Sequence, residues 1–582
     1  MTDQVRKSVD EDDSVVGDAK VDLLTVCEAA EATEVERNMG LLKSLKVYKK
    51  ACLWSIFLSI CIVMEGYDTV ILNSLYAYPP FLRKFGIQGS HGVYELPAAW
   101  QSGLSNGALC GQILGLFFNG IIAERIGYRK TLIGALMACV GFIAILFFAE
   151  TLVQLLIGEI LIGIPWGVFQ TLTTTYAAEV CPTHLRAYLT TYVNLCWVFG
   201  QFIASGVLRA MVLRDDRWGY KIPFAIEWAW PIPLMIGIYL APESPWWLVR
   251  HNRLDDAKKT VVRLTSRNSG VAFQPDQTVS MMVHTNEMEK EAVAGTSYKD
   301  LFRGANLRRT EIVCVTWMIQ TLCGSTFMNY STYFYQKAGL AVEQSFSMSL
   351  GQYGLGAVGT LTAWFLMSLA GRRTLYLSGQ LIMCCLLLTI GCTSFAGRQN
   401  EAAQWAIGSM LLVYALVYNA TVGPVCYSLV SELTSTRLRT KSVVLARNVY
   451  NISGIVTNIM TPRMLNSTAW NWGAKSGFFW ASTCILCAIW TYFRLPEPKG
   501  RTYGELDVLF EKRVSARKFT STPVERFDAE EDEGEKAAEG EKVLGAVMLE
   551  RVDNNWTGTN SKQRERDLAR RQTALERAAG SR

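Results

Sequence analysis

The sequence predicts an all-α polytopic membrane protein, with about twelve transmembrane helices in two six-helix halves and both termini cytoplasmic. Three observations carry that expectation. Half of the 582 residues are hydrophobic, and they gather into long blocks with few charges. The lysines and arginines of the short loops fall on one side of those blocks. Motifs of the first half return at matching places in the second.

The apolar blocks read in order as spans at about 51–75, 98–123, 131–149, 153–179, 187–211, 223–241, 311–336, 347–370, 374–396, 404–431, 442–465 and 474–494. A helix needs about 20 apolar residues to cross a bilayer. One soluble core cannot hide so many, so a lipid bilayer is the expected surroundings. Residues 1–50 are polar and acidic with no apolar h-region, so a cytoplasmic tail without a cleavable signal is expected. The first span then acts as the signal anchor. Residues 51–241 make the first half and 311–494 the second. Between them, 242–310 is a cytoplasmic linker, expected to be helical in part. It carries Arg250, Arg253, Lys258, Lys259, Arg263 and Arg267, then Glu287, Glu289 and Glu291. Residues 495–582 form a cytoplasmic tail rich in Glu, Lys, Arg and Ala, and its stretch from Lys562 to Arg577 reads as solvated.

Orientation follows from the basic loops. Lys43, Lys46, Lys49 and Lys50 precede the first span, and Arg125, Arg129 and Lys130 follow the second. Arg186 follows the fourth, Arg372 and Arg373 the eighth, and Arg437, Arg439 and Lys441 the tenth. All share one side if the termini are cytoplasmic. Arg214, Arg217 and Lys221 are a partial exception, with Asp215 and Asp216 beside them.

Composition excludes several classes. The net charge of +6 sits beside membrane segments, not on one face, which argues against a nucleic-acid partner. The 15 cysteines are mostly scattered through apolar blocks, as small buried hydrophobes. With four histidines and cysteines that read as buried hydrophobes, no metal site is expected. The sequence has no Walker loop or HExxH pair, so neither an enzyme nor a cofactor is expected.

The halves echo each other. Glu179 and Arg186 stand seven residues apart after the fourth span, as Glu432 and Arg439 do after the tenth. Gly127-Tyr-Arg-Lys130 after the second answers Gly371-Arg-Arg373 after the eighth. A parallel repeat of this kind places a binding site between the halves.

These motifs carry a family resemblance. Gly120-Ile-Ile-Ala-Glu-Arg-Ile-Gly-Tyr-Arg-Lys130 resembles the loop motif of the major facilitator superfamily, with Tyr128 where arginine is usual. Pro242-Glu-Ser-Pro-Trp-Trp-Leu248 resembles the sugar-porter motif P-E-S-P-R-[WY]-L, with Trp246 in place of arginine. Pro496-Glu-Pro-Lys-Gly500 resembles P-E-T-K-G after the last helix. Over about residues 45–515 the chain is similar to fungal maltose permeases. Met64-Glu-Gly-Tyr-Asp68, Tyr192-Val-Asn-Leu-Cys-Trp197, Leu445-Ala-Arg-Asn448 and Asn471-Trp-Gly-Ala-Lys-Ser-Gly-Phe-Phe-Trp480 are among the matching stretches. Two departures stand out. Glu159 follows Gly158 where sugar porters carry Gly-Arg, and Ser368 stands where they carry an acid before Gly-Arg-Arg. Both are expected to rewire the cytoplasmic charge network.

Glu65 and Asp68 are the sharpest chemical signal. They stand three apart, on one face of the first helix. A carboxylate in hydrocarbon is costly unless it faces a cavity or has a partner. The resemblance implies that Asp68 is the proton site of a proton–sugar symporter, with Glu65 beside it. The competing reading is a structural ion pair with Arg447.

A neutral sugar needs donors, acceptors and an aromatic face. Gln112, Gln170, Asn194, Gln201, Gln320, Asn329, Asn448 and Asn451 lie within spans, where polar residues also simply join helices. The resemblance implies sugar contacts for Asn194, Gln320 and Asn451, and a stacking role for Tyr427 after Gly423-Pro424. Glu124, Arg125, Arg129, Glu179, Arg186, Glu432 and Arg439 are expected as gate residues at the cytoplasmic mouths, against simple topological anchoring. The implied function is a monomeric, proton-coupled importer of α-glucosides in the plasma membrane. A carrier of sucrose, trehalose, raffinose or a hexose, or a sugar sensor, are the alternatives.

Overall fold

Twelve long helices cross the apolar layer in alternating directions, and each coincides with one expected span. The computed structural model describes residues 41–88, 94–266, 274–293, 297–396, 400–435, 438–499, 501 and 503–522. The first six are α1 (Lys49–Leu75), α2 (Ala98–Ile126), α3 (Tyr128–Phe147), α4 (Leu152–Val180), α5 (Thr183–Met211) and α6 (Trp218–Leu240). The second six are α7 (Gly304–Asn329), α8 (Val342–Leu369), α9 (Arg372–Ala396), α10 (Glu401–Leu433), α11 (Arg439–Leu465) and α12 (Gly473–Arg494). Ser331–Ala338 continues α7 beyond a break. Among the described residues, ten helices are long and apolar enough to cross a membrane. The two others, α8 and α11, are as long, with 28 and 27 residues, but more polar. In α11 the polarity comes from Arg447, Asn448, Asn451 and their neighbours, which face the middle of the protein.

Helices in lipid gain little from hiding apolar surface, so small residues set how closely they pack. Gly111 of α2 and Gly163 of α4 meet at one crossing. A Cβ on Gly111 would stand 2.1 Å from the Ile160 carbonyl oxygen, and one on Gly163 would stand 2.2 Å from that of Ala108. The backbones touch there, and only hydrogen fits.

Several spans are interrupted near mid-membrane, where a free backbone group is tolerated only in protein or at a cavity. Pro231 cannot donate to the Glu227 carbonyl, and α6 tightens to a 3₁₀ turn at Glu227–Ala229. In α7 a π turn covers Thr321–Ser325, with Gly324 at φ 95°. In α10 Thr421 leaves helical geometry just before Gly423-Pro424.

The linker is helical at Pro245–Arg250, Leu254–Leu264 and Pro275–Val293. Its two flanking motifs do the same job in each half. The Glu243 carboxylate accepts the N–H groups of Tyr128 (3.0 Å) and Arg129 (3.3 Å), capping α3. The Glu497 carboxylate accepts those of Arg372 (2.8 Å) and Arg373 (3.0 Å), capping α9. Negative charge suits a helix N-terminus. Burial pushes the Glu243 carboxyl above the usual carboxylate range, although the N–H groups of Ser244, Arg129 and Tyr128 oppose the shift. A Cβ on Gly371 would stand 2.2 Å from a Glu497 oxygen, which explains glycine before each basic pair.

The α2–α4 seam is testable by size. Gly163→Val forces the backbones apart, at a cost of about 1–3 kcal/mol or more. Surface delivery, followed by cell-surface labelling, is expected to fall several-fold. Gly134→Val, where a side chain meets nothing within 4 Å, is expected to leave delivery unchanged.

Candidate functional site

A chain of polar groups crosses from one half to the other at mid-membrane. Glu65 of α1 is 3 % exposed. One of its oxygens accepts the Gln112 amide of α2 (3.1 Å) and the Gln170 amide of α4. The Gln170 carbonyl oxygen in turn accepts from the Arg447 guanidinium of α11 at 2.7 Å. Arg447 lies over the rings of Trp317 (4.8 Å) and Tyr450 (4.6 Å), and Tyr427 packs edge-on against Trp317 at 4.8 Å. The cation thus sits in an aromatic box.

Asp68 points elsewhere. It accepts the Trp166 indole N–H at 3.1 Å, and its other oxygen finds no further donor of that kind among the described residues. Glu227, at the break in α6, faces it within hydrogen-bonding reach. Glu159 of α4 lies close by. Asp68, Glu159 and Glu227 are all buried, and among the described residues no N–H or hydroxyl donor reaches either Glu227 oxygen. The competing reading, an ion pair with Arg447, is not made by Asp68. Three residues of helix turn the two carboxylates to different neighbours, and Arg447 reaches the Glu65 side. The cytoplasmic assignment of Glu159 also fails. That residue lies seven positions from the extracellular start of α4, far from the basic loops. Ser368 does lie at the cytoplasmic end of α8. There the Lys499 ammonium donates to the carbonyls of Ser368 (2.9 Å), Leu369 (3.1 Å) and Ala370 (3.2 Å).

The expected sugar contacts are placed unequally. Gln320 donates to the Gly423 carbonyl at 2.8 Å, so its amide ties α7 to the break in α10. Gln112 is engaged with Glu65. Tyr427 is engaged with the Trp317 ring. Asn194 is half-buried on α5, and Asn329 half-buried at the end of α7. Asn451 is fully buried, and among the described residues neither of its amide atoms has a partner, nor does the Asn448 carbonyl oxygen one turn away. Buried polar groups are nearly always hydrogen-bonded, so these two asparagines of α11 are exceptions.

At the cytoplasmic ends the charges clasp within each half. Glu179 accepts from Arg250 (3.1 Å), from the Tyr128 hydroxyl (2.9 Å) and from Ser244. Arg250 also reaches Glu124 at 3.5 Å. Tyr128 replaces the usual arginine without leaving a gap, and Arg250 supplies the cation one turn after Trp246. In the second half Arg372 pairs with Glu432 at 3.3 Å. Arg129 donates to the Ala241 carbonyl at 3.4 Å, and Arg125 is exposed. The side chains of Arg186 and Arg439 lie outside the described residues.

Sequence reasoning missed Glu227, Trp166, Trp317 and the role of Arg250. Glu227 had a signal, since an acid inside an expected span is itself the exception.

The model of the family described as "Sugar (and other) transporter" matches residues 54–510. The chain belongs to the sugar transporter family. It is a carrier and not an enzyme. The general alpha-glucoside permease of Saccharomyces cerevisiae (strain ATCC 204508 / S288c) is 44% identical over 504 residues, covering 86% of this chain and 82% of the relative. The maltose permease MAL61 of the same species is 43% identical over 513 residues, with the same coverage. The partially occluded inward-open xylose transporter XylE of E. coli superposes with a TM-score of 0.64 at 19% identity, covering 78% of this chain and 99% of that one. That likeness shows the fold: a twelve-helix major facilitator transporter, multi-pass in the membrane.

The Arg250 clasp of this transporter is expected to be needed for turnover. Arg250→Met leaves Glu179 half-buried without its cation, and uptake per carrier at the surface should fall at least about tenfold, for a loss of 1.4 kcal/mol or more. Arg250→Lys, a point charge without the planar fork, should recover only part. Normal uptake by both variants would reduce the clasp to topological anchoring.

Proposed function

We propose that this transporter imports an α-glucoside of the maltose type together with a proton across the plasma membrane, as a monomer working by alternating access. The observation that carries this reading is the placement of Asp68. It lies in hydrocarbon, apposed to the carboxyl of Glu227, one helical turn from a carboxylate linked through Gln170 to the other half. Two carboxyl groups in contact without a cation cannot both ionise, so the site holds a proton. Taking up a second proton or releasing it changes the charge beside α1, and α1 meets both halves.

The sugar is proposed to lie between α11 and α7. Asn448 and Asn451 offer unpartnered polar atoms, and Trp317, Tyr427 and Tyr450 offer ring faces for its C–H surface. An arriving hydroxyl group competes for the amide of Gln170 or the guanidinium of Arg447. Sugar binding and the Glu65 connection are then felt by one another. The relatives' names supply the substrate class. Sucrose, trehalose, raffinose and hexoses belong in the same uptake panel, with maltose expected to lead.

Two outcomes check this reading. Wild-type uptake is expected to quicken as external pH falls, and a protonophore should abolish accumulation. Asp68→Asn keeps size and hydrogen bonding but cannot release a proton. It should exchange labelled sugar yet fail to concentrate it, and pH-dependent accumulation by this variant would remove Asp68 from the coupling step. Separately, Asn451→Ala should raise the apparent KM several-fold, the worth of about 1 kcal/mol for one hydrogen bond to a neutral sugar. An unchanged KM would move the sugar off α11.

A further inference from the structure

Among the described residues, several hydrogen bonds tie the halves together at their extracellular ends. There Ser74 of α1 shares a hydrogen bond with Thr332 (3.1 Å), Gln336 donates to the Ala77 carbonyl (2.8 Å), and Asn466 donates to that of Leu96 (2.8 Å). The strongest group in this layer is one carboxylate. Glu95 lies just ahead of α2, on a short strand, Tyr94–Glu95, paired antiparallel with Ile87–Gln88. The pairing of Ile87 with Glu95 fixes its backbone. Lys337 and Tyr333 lie on Ser331–Ala338, the segment that continues α7 past the interruption at Tyr330 (φ −100°, ψ 24°).

The Lys337 ammonium meets Glu95 at 2.7 Å and lies over the Tyr333 ring at 5.2 Å. The Tyr333 hydroxyl donates to the same carboxylate. So does the hydroxyl of Ser467, just past α11, and its N–H lies 3.4 Å away. One acid of the first half is therefore gripped by two elements of the second. We propose that Glu95 and Lys337 are the outer latch of the carrier, an ion pair that holds the extracellular gate shut while cargo leaves on the cytoplasmic side.

A second ion pair also joins the halves at this level, Arg209 of α5 to Glu343 of α8, but its side chains are 29% and 55% exposed. Those of Lys337 and Glu95 are 20% and 11% exposed. Exposed pairs contribute little and are screened by salt, while sheltered, charge-assisted ones are not. The latch also suits its medium. Burial works against the Glu95 charge, yet hydrogen bonds from Lys337, Ser467 and Tyr333 and the Lys337 charge hold its carboxyl below the usual carboxylate range. Lys337 is the charged group facing it and Tyr333 the titratable one. A depressed carboxyl stays ionised as external pH falls through the ordinary carboxylate range. The ion pair therefore survives in the acid exterior that a proton-driven importer exploits, whereas a free carboxylate there would neutralise.

This inference rests on the transport reading above, and its test separates the two. Glu95→Gln and Lys337→Met are made singly, and uptake is normalised to surface carrier. Weakening the outward-closed state enlarges the fraction open to the outside, so apparent KM for external sugar should fall by about threefold with a matching loss of Vmax. A mere loop staple would lower the amount of carrier and leave KM alone. Reversing the pair, with Glu95→Lys and Lys337→Glu together, should return both constants toward wild type. Unchanged constants in both single variants, or a reversed pair no better than either, overturns the latch. If the single variants do not reach the surface, Ser467→Ala takes their place. A smaller fall in KM is expected of it, and none overturns the proposal. Hydrogen–deuterium exchange of the purified carrier needs no sugar. Both single variants should exchange faster across Ser331–Ala338, and unchanged exchange there sinks the latch whether or not the wild type carries a glycoside.

Discussion

Four carboxyl groups buried among the first six helices, those of Glu65, Asp68, Glu159 and Glu227, constrain everything packed around them. Acids in hydrocarbon need partners or protons. The glycine seam between α2 and α4 is one answer. Only backbones in contact let Gln112 and Gln170, from two helices, reach the same oxygen of Glu65. The break at Pro231 is another, because a regular α6 would carry Glu227 past Asp68 in a different register. The indole of Trp166 is the third, and among the described residues it is the hydrogen-bond donor that Asp68 obtains. Helix spacing, helix breaks and the choice of a bulky aromatic in a crowded interior all follow from these acids.

The spans were legible because hydrocarbon imposes one length on all of them. Even α8 and α11, the two more polar ones, read as spans from the length of their apolar blocks. The importance of Glu65 and Asp68 was equally plain, since acids in an apolar run need a reason. Their partners were not plain. Whether Arg447 met Asp68 or Glu65 depends on which face of α4 lies between, and spacing within one helix does not encode that. Glu159 was misread for a simpler reason. Helices alternate direction, so the beginning of α4 is extracellular, although the loop motifs that invite comparison are cytoplasmic. Gln320 looked like a sugar ligand because its type and motif fit, and the contact of its amide with the Gly423 carbonyl of α10 was not encoded in α7.

The cytoplasmic face repeats one solution in two dialects. Each half ends in a glutamate that caps the third helix of that half, Glu243 for α3 and Glu497 for α9. Around this shared element the surroundings have diverged. The first half closes Glu179 with Tyr128 and an arginine borrowed from the linker, while the second closes Glu432 with Arg372 and lets Lys499 finish α8. The motif residues that depart from the family pattern are therefore compensated locally, and the helix ends they stabilise are kept.

Gln170 joins the halves with an amide, and an amide has a direction. Its N–H faces the Glu65 carboxylate and its carbonyl faces the Arg447 guanidinium. Turned over, the same group would set donor against donor and acceptor against acceptor. The joint is keyed: it transmits polarity without titrating, and it has one correct way round. Because only Arg447 belongs to the second half, parting the halves strips the cation of this partner and leaves Glu65 with Gln170 and Gln112. The carboxylate end of the joint stays closed, so the separation of the halves is felt there by the cation alone.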